Sequence, residues 1–281
     1  MPDDARAPMT VPGVRTAKRS RGAAPLVMIT AYDAPGAAAV DEAGVDLILV
    51  GDSVADNVLG HANTLAVTID DMVHHTAAVA RAHPRAVVVG DMPWMSYHNT
   101  VEEAVSNAAR LIRAGAQAVK LEGGQRRAPV IEAIVSAEIP VMGHLGLTPQ
   151  SVNVMGGFRV QAKSPEAAAM LLDDALAIEA AGVFAVVLEG VPDVVAGRVT
   201  EALDVPTIGI GAGSGCDGQV LVFHDVLGLS TRTPAKFVRR YADLRSETVA
   251  AVSAYAADVR GGSFPSEAET YHLPGGGPTG T

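Results

Sequence analysis

From residue 26 onward, short apolar runs alternate with Ala-rich stretches of helical period. The runs are Leu26–Ala31, Leu47–Val50, Ala86–Val89, Ala118–Leu121, Pro140–His144, Phe184–Leu188, Thr207–Ile210 and Gln219–His224. Each is nearly continuous in apolar residues. That is the pattern of a strand buried on both faces, and so of a parallel sheet. Helices are predicted between most of them, at about 34–43, 68–82, 101–114, 126–137, 165–181 and 193–202, with a long one at 234–258. Ser164-Pro165-Glu166 offers an N-cap, a proline at the first helical position and an acid in the first turn. Thr68 and Asp71 resemble a capping box with Asp in place of Glu.

Eight β/α units of this total length favour a closed (β/α)8 TIM barrel over an open doubly wound sheet. One irregularity counts against the barrel: the connection from Gly211 to Gly218 is too short and Gly-rich for a helix. The barrel is assigned as a single domain over residues 25–260. Residues 1–24, with Pro2, Pro8 and Pro12 among scattered charges, read as a flexible N-terminal tail. Residues 261–281, rich in Gly and Pro, read as a flexible C-terminal tail.

Composition narrows the class. Of 281 residues, 48% are hydrophobic, which excludes disorder along the whole chain. Cys216 is the only cysteine, so a disulfide scaffold is excluded and a reduced, cytoplasmic compartment is expected. No apolar run approaches the ~20 residues that span a bilayer, and no secretory signal is read at the N-terminus. A net charge of −10 and only 4% aromatic residues argue against a nucleic-acid surface.

The chemistry sits where the runs end. The second leads into Gly51-Asp52-Ser53, the third into Gly90-Asp91-Met92-Pro93, and the fourth contains Lys120-Leu121-Glu122. The fifth ends at Gly143-His144 and the sixth at Leu188-Glu189. In a barrel these strand ends converge on the catalytic face. One such Asp is commonly a helix cap, but five successive strands with the same habit point to a site. Lys120 and Glu122 are two apart and so share a face. Asp52, Asp91 and Glu122 are hard oxygen ligands that suit Mg²⁺, with one of them acting through water or orienting the shell. Lys120 would offset negative charge and attract an anionic substrate. Glu189 remains as general base, or alternatively as an ion-pair partner. His144 reads equally as a substrate ligand or a core histidine. His74, His75 and Cys216 read as structural. The glycines from Gly209 to Gly218 fail the context of a dinucleotide loop, because they precede a strand. They read instead as a turn that brings backbone close to a ligand.

Several of these segments together carry a family resemblance. They are Gly51-Asp52-Ser53, Asp91 with Pro93, Lys120-Leu121-Glu122-Gly123-Gly124, and Met142 through Gln150. Gly156-Gly157-Phe158-Arg159-Val160-Gln161-Ala162, Leu188-Glu189, and Gly209 through Gln219 complete the order. Over roughly residues 12–265 the chain resembles the ketopantoate hydroxymethyltransferase family. The resemblance implies a (β/α)8 barrel assembled as a homodecamer of two stacked rings of five. It implies Mg²⁺-dependent transfer of a hydroxymethyl group from 5,10-methylenetetrahydrofolate to 3-methyl-2-oxobutanoate (α-ketoisovalerate). The product is ketopantoate, on the route to pantothenate and coenzyme A. Asp52, Asp91 and Glu122 match the family's Mg²⁺ positions. Asp52, Ser53, Asp91 and Lys120 match its keto-acid positions, and Glu189 its proton acceptor.

The chain departs from the family's usual pattern at Trp94-Met95, at Gly60 through Thr64, and at Gly190. These bear on pocket shape and folate affinity, not on reaction type. The competing enzyme reading is a Mg²⁺-dependent isocitrate-lyase-like lyase or mutase on another small keto acid. A degenerate barrel that binds without turnover is the competing non-enzyme reading.

Overall fold

The computed structural model describes residues 7–157 and 159–273. Eight parallel strands close into one barrel in sequence order. They are β1 (Leu26–Thr30), β2 (Leu47–Val50), β3 (Val87–Asp91), β4 (Ala118–Glu122), β5 (Val141–Gly146), β6 (Ala185–Glu189), β7 (Thr207–Ile210) and β8 (Gly218–Leu221). β8 returns to β1 in parallel, with Leu26 opposite Gly218. Helices Ala34–Glu42, Ile69–Ala80, Val101–Arg113, Ala128–Ser136, Pro165–Ala180 and Asp193–Ala202 fall on the predicted segments. The capping box at Thr68 is complete: Asp71 accepts from the Thr68 N–H at 2.9 Å, and Thr68 Oγ1 accepts from the Asp71 N–H at 3.3 Å. Ser164 caps its helix through the Ala167 N–H.

Two apolar layers hold this architecture, and the two-residue period of the strands sorts residues between them. Ile48, Val88, Val119, Leu121, Val186 and Leu188 pack outward in the large core with the helices. Met28, Leu47, Val87, Val89, Ala118, Met142 and Val187 form a second cluster, the filled interior of the barrel. The same parity that sends Val87 and Val89 inward carries Asp91 inward at the end of β3.

The connection between β7 and β8 holds no helix, as its glycines foretold. Gly211 has φ +63°, and a Cβ there would lie 2.6 Å from the Phe237 ring. Only glycine tolerates both conditions. The backbone at Gly211 therefore lies against the Phe237 side chain.

Residues 7–24 differ from the flexible tail read in the sequence. Val11–Arg15 is a helix capped by Thr10, and Val14 is fully buried in the barrel-interior cluster. Lys18 Nζ is buried as well, 2.9 Å from Asp217 Oδ2 and 2.7 Å from the Thr200 carbonyl. This segment therefore closes the N-terminal end of the barrel. The partners of Lys18 and Arg19 lie 182 and 198 residues away, so local pattern gives no sign of them. The parts of the expected tails at residues 1–6 and 274–281 lie outside the described residues.

Backbone proximity separates two compact units. The barrel unit runs to Phe223 and takes in Pro234–Val238; His224–Thr233 and the chain from Arg239 form the other. In the second unit the helix is Leu244–Gly261, beginning ten residues later than the predicted start at 234. Asp243 sets the start by accepting from the Ser246 N–H, and Gly262, at φ +75°, ends it. Val249, Val252, Tyr255 and Val259 are exposed on this helix.

Candidate active site

The inward parity of β3, β4, β5 and β6 brings Asp91, Lys120, Glu122, His144 and Glu189 to the C-terminal mouth. The register sets them level: Asp91 is opposite Lys120, and Glu122 opposite His144. Asp52 follows β2 directly, and its N–H donates to Asp91 Oδ2 at 3.1 Å. Asp52, Asp91, Lys120, Glu122 and His144 are each no more than 5% exposed, whereas the Glu189 side chain is 15% exposed.

Contacts link the set. Lys120 Nζ lies 2.7 Å from Asp91 Oδ1. His144 Nδ1 lies 3.3 Å from Glu122 Oε1, and its Nε2 lies 3.2 Å from Glu189 Oε2. Lys120 Nζ is also 3.4 Å from His144 Nδ1. Every residue predicted for the cluster is thus brought together. His144, left open between substrate ligand and core residue, lies between two carboxylates. Ser53 is half-buried beside Asp52, and its hydroxyl is 2.9 Å from the Tyr32 hydroxyl.

The electrostatics follow from four carboxylates, three of them deeply buried, sharing two cations. Burial, with the charges of Asp91 and Glu122, pushes Asp52 well above the usual carboxylate range. Burial also raises Asp91, against the pull of Lys120. Glu122 is lowered: burial opposes this, but His144 and Lys120 prevail. Burial and Lys120 work against charge on His144, yet Glu122 and Glu189 outweigh them and lift it from 6.5 to about 9. Lys120 is raised likewise, because Asp91, Glu122 and Asp52 overcome its burial. Such opposed shifts in one cleft mark functional sites more often than structural ones.

Among the described residues, no group of three His, Cys, Asp or Glu side chains is gathered in a metal-holding arrangement. The donor set nonetheless fits a hard cation. Asp91 Oδ1 and Glu122 Oε1 are buried, each facing a side-chain nitrogen at ion-pair distance. Their neighbours are the Lys120 ammonium and the His144 ring. Mg²⁺ is commonly held by one or two carboxylates and otherwise by water and substrate oxygens, so three converging ligands are not required.

Three polar residues of the site were not singled out in the sequence. Gln150 lies in the loop after β5, only 5% exposed. Its Nε2 donates to Asp52 Oδ2 at 2.9 Å and to the Met92 carbonyl at 3.0 Å. Tyr97, in the loop after β3, donates its hydroxyl to Gln150 Oε1 at 2.6 Å. Tyr32 is the third, through Ser53. Loop residues carry no period, so the only available signal was their place in the quoted motifs or beside them. Gly146 makes the β5 loop possible. It has φ +90°, and a Cβ there would lie 2.3 Å from the Glu189 carbonyl.

A cavity of 710 Å³ adjoins the cluster and is lined by Trp94, Tyr97, His98, Glu122, Arg127 and Gln150, among others. Elsewhere, His75 Nδ1 lies 2.7 Å from the Tyr32 carbonyl and His74 is exposed. Burial raises the Cys216 thiol. Both observations accord with structural roles. Phe158, within the glycine-rich motif, lies outside the described residues.

The model of the family described as ketopantoate hydroxymethyltransferase matches residues 9–267. The chain is 55% identical over 251 residues to the 3-methyl-2-oxobutanoate hydroxymethyltransferase of Koribacter versatilis, covering 89% of this chain and 85% of the relative. It is 59% identical over 246 residues to the enzyme of that name from Pyrobaculum islandicum, covering 88% of this chain and 94% of the relative. Among solved structures, 2,3-dimethylmalate lyase, a PEP mutase/isocitrate lyase superfamily member, superposes with a TM-score of 0.60 at 18% identity. That match covers 93% of this chain and 91% of the lyase. At that identity the likeness concerns the barrel alone.

Proposed function

The chain belongs to the ketopantoate hydroxymethyltransferase family, and from that premise we propose how it transfers a hydroxymethyl group to 3-methyl-2-oxobutanoate to give ketopantoate. One observation carries the assignment of roles. Asp52, Asp91 and Glu122 are at most 5% exposed beside Lys120 and His144, whereas the Glu189 side chain is 15% exposed. The more buried group holds charge, and the more exposed one exchanges a proton.

In this reading Asp52, Asp91 and Glu122 would hold Mg²⁺. Bound there, Mg²⁺ supplies Lewis-acid polarisation of the keto oxygen and stabilises developing enolate charge. Ser53, steadied by Tyr32, hydrogen-bonds the substrate carboxylate, and Lys120 adds positive charge beside it. Glu189 takes the proton from the branched carbon, and His144 holds the carboxylate of that base from behind. The electron pair left on carbon attacks the one-carbon unit supplied by 5,10-methylenetetrahydrofolate. Water first hydrolyses the methylene bridge, breaking both of its C–N bonds so that tetrahydrofolate leaves and the carbon is released as formaldehyde. The C–C bond then forms as the formaldehyde π bond breaks, and the resulting alkoxide takes the proton held by Glu189 to become the hydroxyl. The 710 Å³ cavity is the proposed entry for the folate, because it shares Glu122, Gln150 and Tyr97 with the cluster.

Family membership also supports a homodecamer, and the exposed apolar residues of helix Leu244–Gly261 supply a surface for assembly. Among the described residues, no helix is long and apolar enough to cross a membrane. We place the enzyme in the cytoplasm, where its single buried thiol stays reduced.

The deciding experiment follows hydrogen exchange at the branched carbon of 3-methyl-2-oxobutanoate by NMR in D₂O. It is run with and without Mg²⁺ and tetrahydrofolate. Mg²⁺-dependent exchange that disappears in Glu189→Gln is the expected result. Exchange that persists in that variant removes Glu189 from the role of base.

A further inference from the structure

Gln150 directs its backbone N–H and its whole side-chain amide into the site. Its backbone N–H donates to Glu122 Oε2 at 3.0 Å. Its side-chain amide donates one hydrogen to Asp52 Oδ2 and the other to the Met92 carbonyl. Its Oε1 accepts from Tyr97. That last bond fixes the direction of the amide, since a flipped amide would point N–H groups at a donating hydroxyl and its carbonyl at a carboxylate. Tyr97 is itself held, because its oxygen accepts from the Glu122 N–H at 3.2 Å. One loop residue therefore reaches two carboxylates on opposite sides of β3, and one phenol sets its orientation.

The bonds are selective. Gln150 occupies Oδ2 of Asp52 and Oε2 of Glu122, and leaves Glu122 Oε1 to face only the His144 ring, at 3.3 Å. An oxygen saturated by N–H donors presents less of its charge to a cation, so the bridge decides which lone pairs remain for one.

We infer that Gln150, locked by Tyr97, is a positioning residue that orients Asp52 and Glu122 toward a divalent cation. The inference rests on the Mg²⁺ reading above and extends it to two residues that do not touch the cation. The bridge also ties the β3 and β5 loops together, so the cation site is complete only when both loops are seated.

The test titrates Mg²⁺ into metal-stripped enzyme by calorimetry, comparing wild type with Gln150→Ala, Tyr97→Phe and the double variant. Circular dichroism and thermal melting verify folding. Loss of partners that orient metal ligands typically weakens metal binding roughly 10–100-fold, and Gln150→Ala is expected in that range. Tyr97→Phe should weaken binding less. In the double variant it should add nothing, because it acts only through Gln150. The raised KM for 3-methyl-2-oxobutanoate should be reversed by excess Mg²⁺, a recovery that a general packing defect does not give. Wild-type Mg²⁺ affinity in folded Gln150→Ala, or a Tyr97→Phe effect that adds in full, overturns the inference while leaving the metal reading intact. If Gln150→Ala does not fold, Tyr97→Phe decides, and wild-type affinity in it overturns the inference. Absence of Mg²⁺ binding by the wild type overturns the metal reading and this inference with it.

Discussion

The barrel has a buried lysine–aspartate pair at each end, and the two ends use it differently. At the N-terminal end Lys18 lies 2.9 Å from Asp217; at the C-terminal end Lys120 lies 2.7 Å from Asp91. The side chains are buried to a similar degree, between 1% and 4% exposed. At the N-terminal end the charges balance one to one, and donors reach both oxygens of Asp217. Arg19 N–H donates to Oδ1 at 2.9 Å and Thr207 N–H to Oδ2 at 3.0 Å. At the C-terminal end four carboxylates share Lys120 and His144, so the ion pairs at 2.7–3.3 Å leave negative charge in excess. A satisfied buried pair joins distant segments of chain. An unbalanced one, with more carboxylates than cations, keeps charge that suits something that is not protein.

Mutations can break or sharpen that contrast. The largest effect is expected at the C-terminal mouth: Glu189→Gln should lower kcat by roughly 10²–10⁴-fold, the usual contribution of a general base. Its melting temperature and keto-acid affinity should stay close to wild type. At the opposite end Lys18→Met should show the converse. It leaves Asp217 buried without a counter-charge, which costs about 3–5 kcal/mol. Urea unfolding should register that loss, while kcat per folded molecule remains that of wild type. A fall in kcat beyond the folded fraction would defeat the view that this end is structural.

Asp91→Asn should raise the Mg²⁺ concentration needed for half-maximal keto-acid binding by at least about tenfold. Unchanged Mg²⁺ dependence would take Asp91 out of the ligand set. A smaller effect concerns pH. The folded-state value of His144 is raised from 6.5 to about 9. Its charge therefore contributes stability that is fully present below about 6.5 and lost as pH rises through about 9. Metal-free wild type measured against His144→Gln should show a stability difference that shrinks across that window; a constant difference would contradict the assignment. The smallest change lies away from both ends. Thr68→Ala removes one helix cap and should cost about 1 kcal/mol with no kinetic effect.

Much of this was legible in the chain. All eight strands and six helices fell on predicted segments, because buried parallel strands need continuous apolar runs and caps need particular side chains. Lys120 and Glu122 were placed on one face by their spacing alone. Their four neighbours, Asp52, Asp91, His144 and Glu189, followed from the habit of each strand to end in a polar residue. The role of residues 7–24 was not legible, since Val14 and Lys18 gain their meaning from partners far along the chain. Gln150 and Tyr97 escaped for a related reason, as a loop side chain has no period to betray where it points.

The sequence by itself determined the barrel, the inward parity of its strands and the chemical character of its mouth. These depend on local periodicity and on which side chains can bear charge, properties that neighbouring residues settle among themselves. Only the tertiary structure decided which charges would be satisfied. Closing the ring set Asp217 against Lys18 with a full set of donors. At the other end it crowded four carboxylates against two cations. Hydrogen-bond satisfaction depends on distances between segments remote in sequence, and those distances exist only once the barrel is closed.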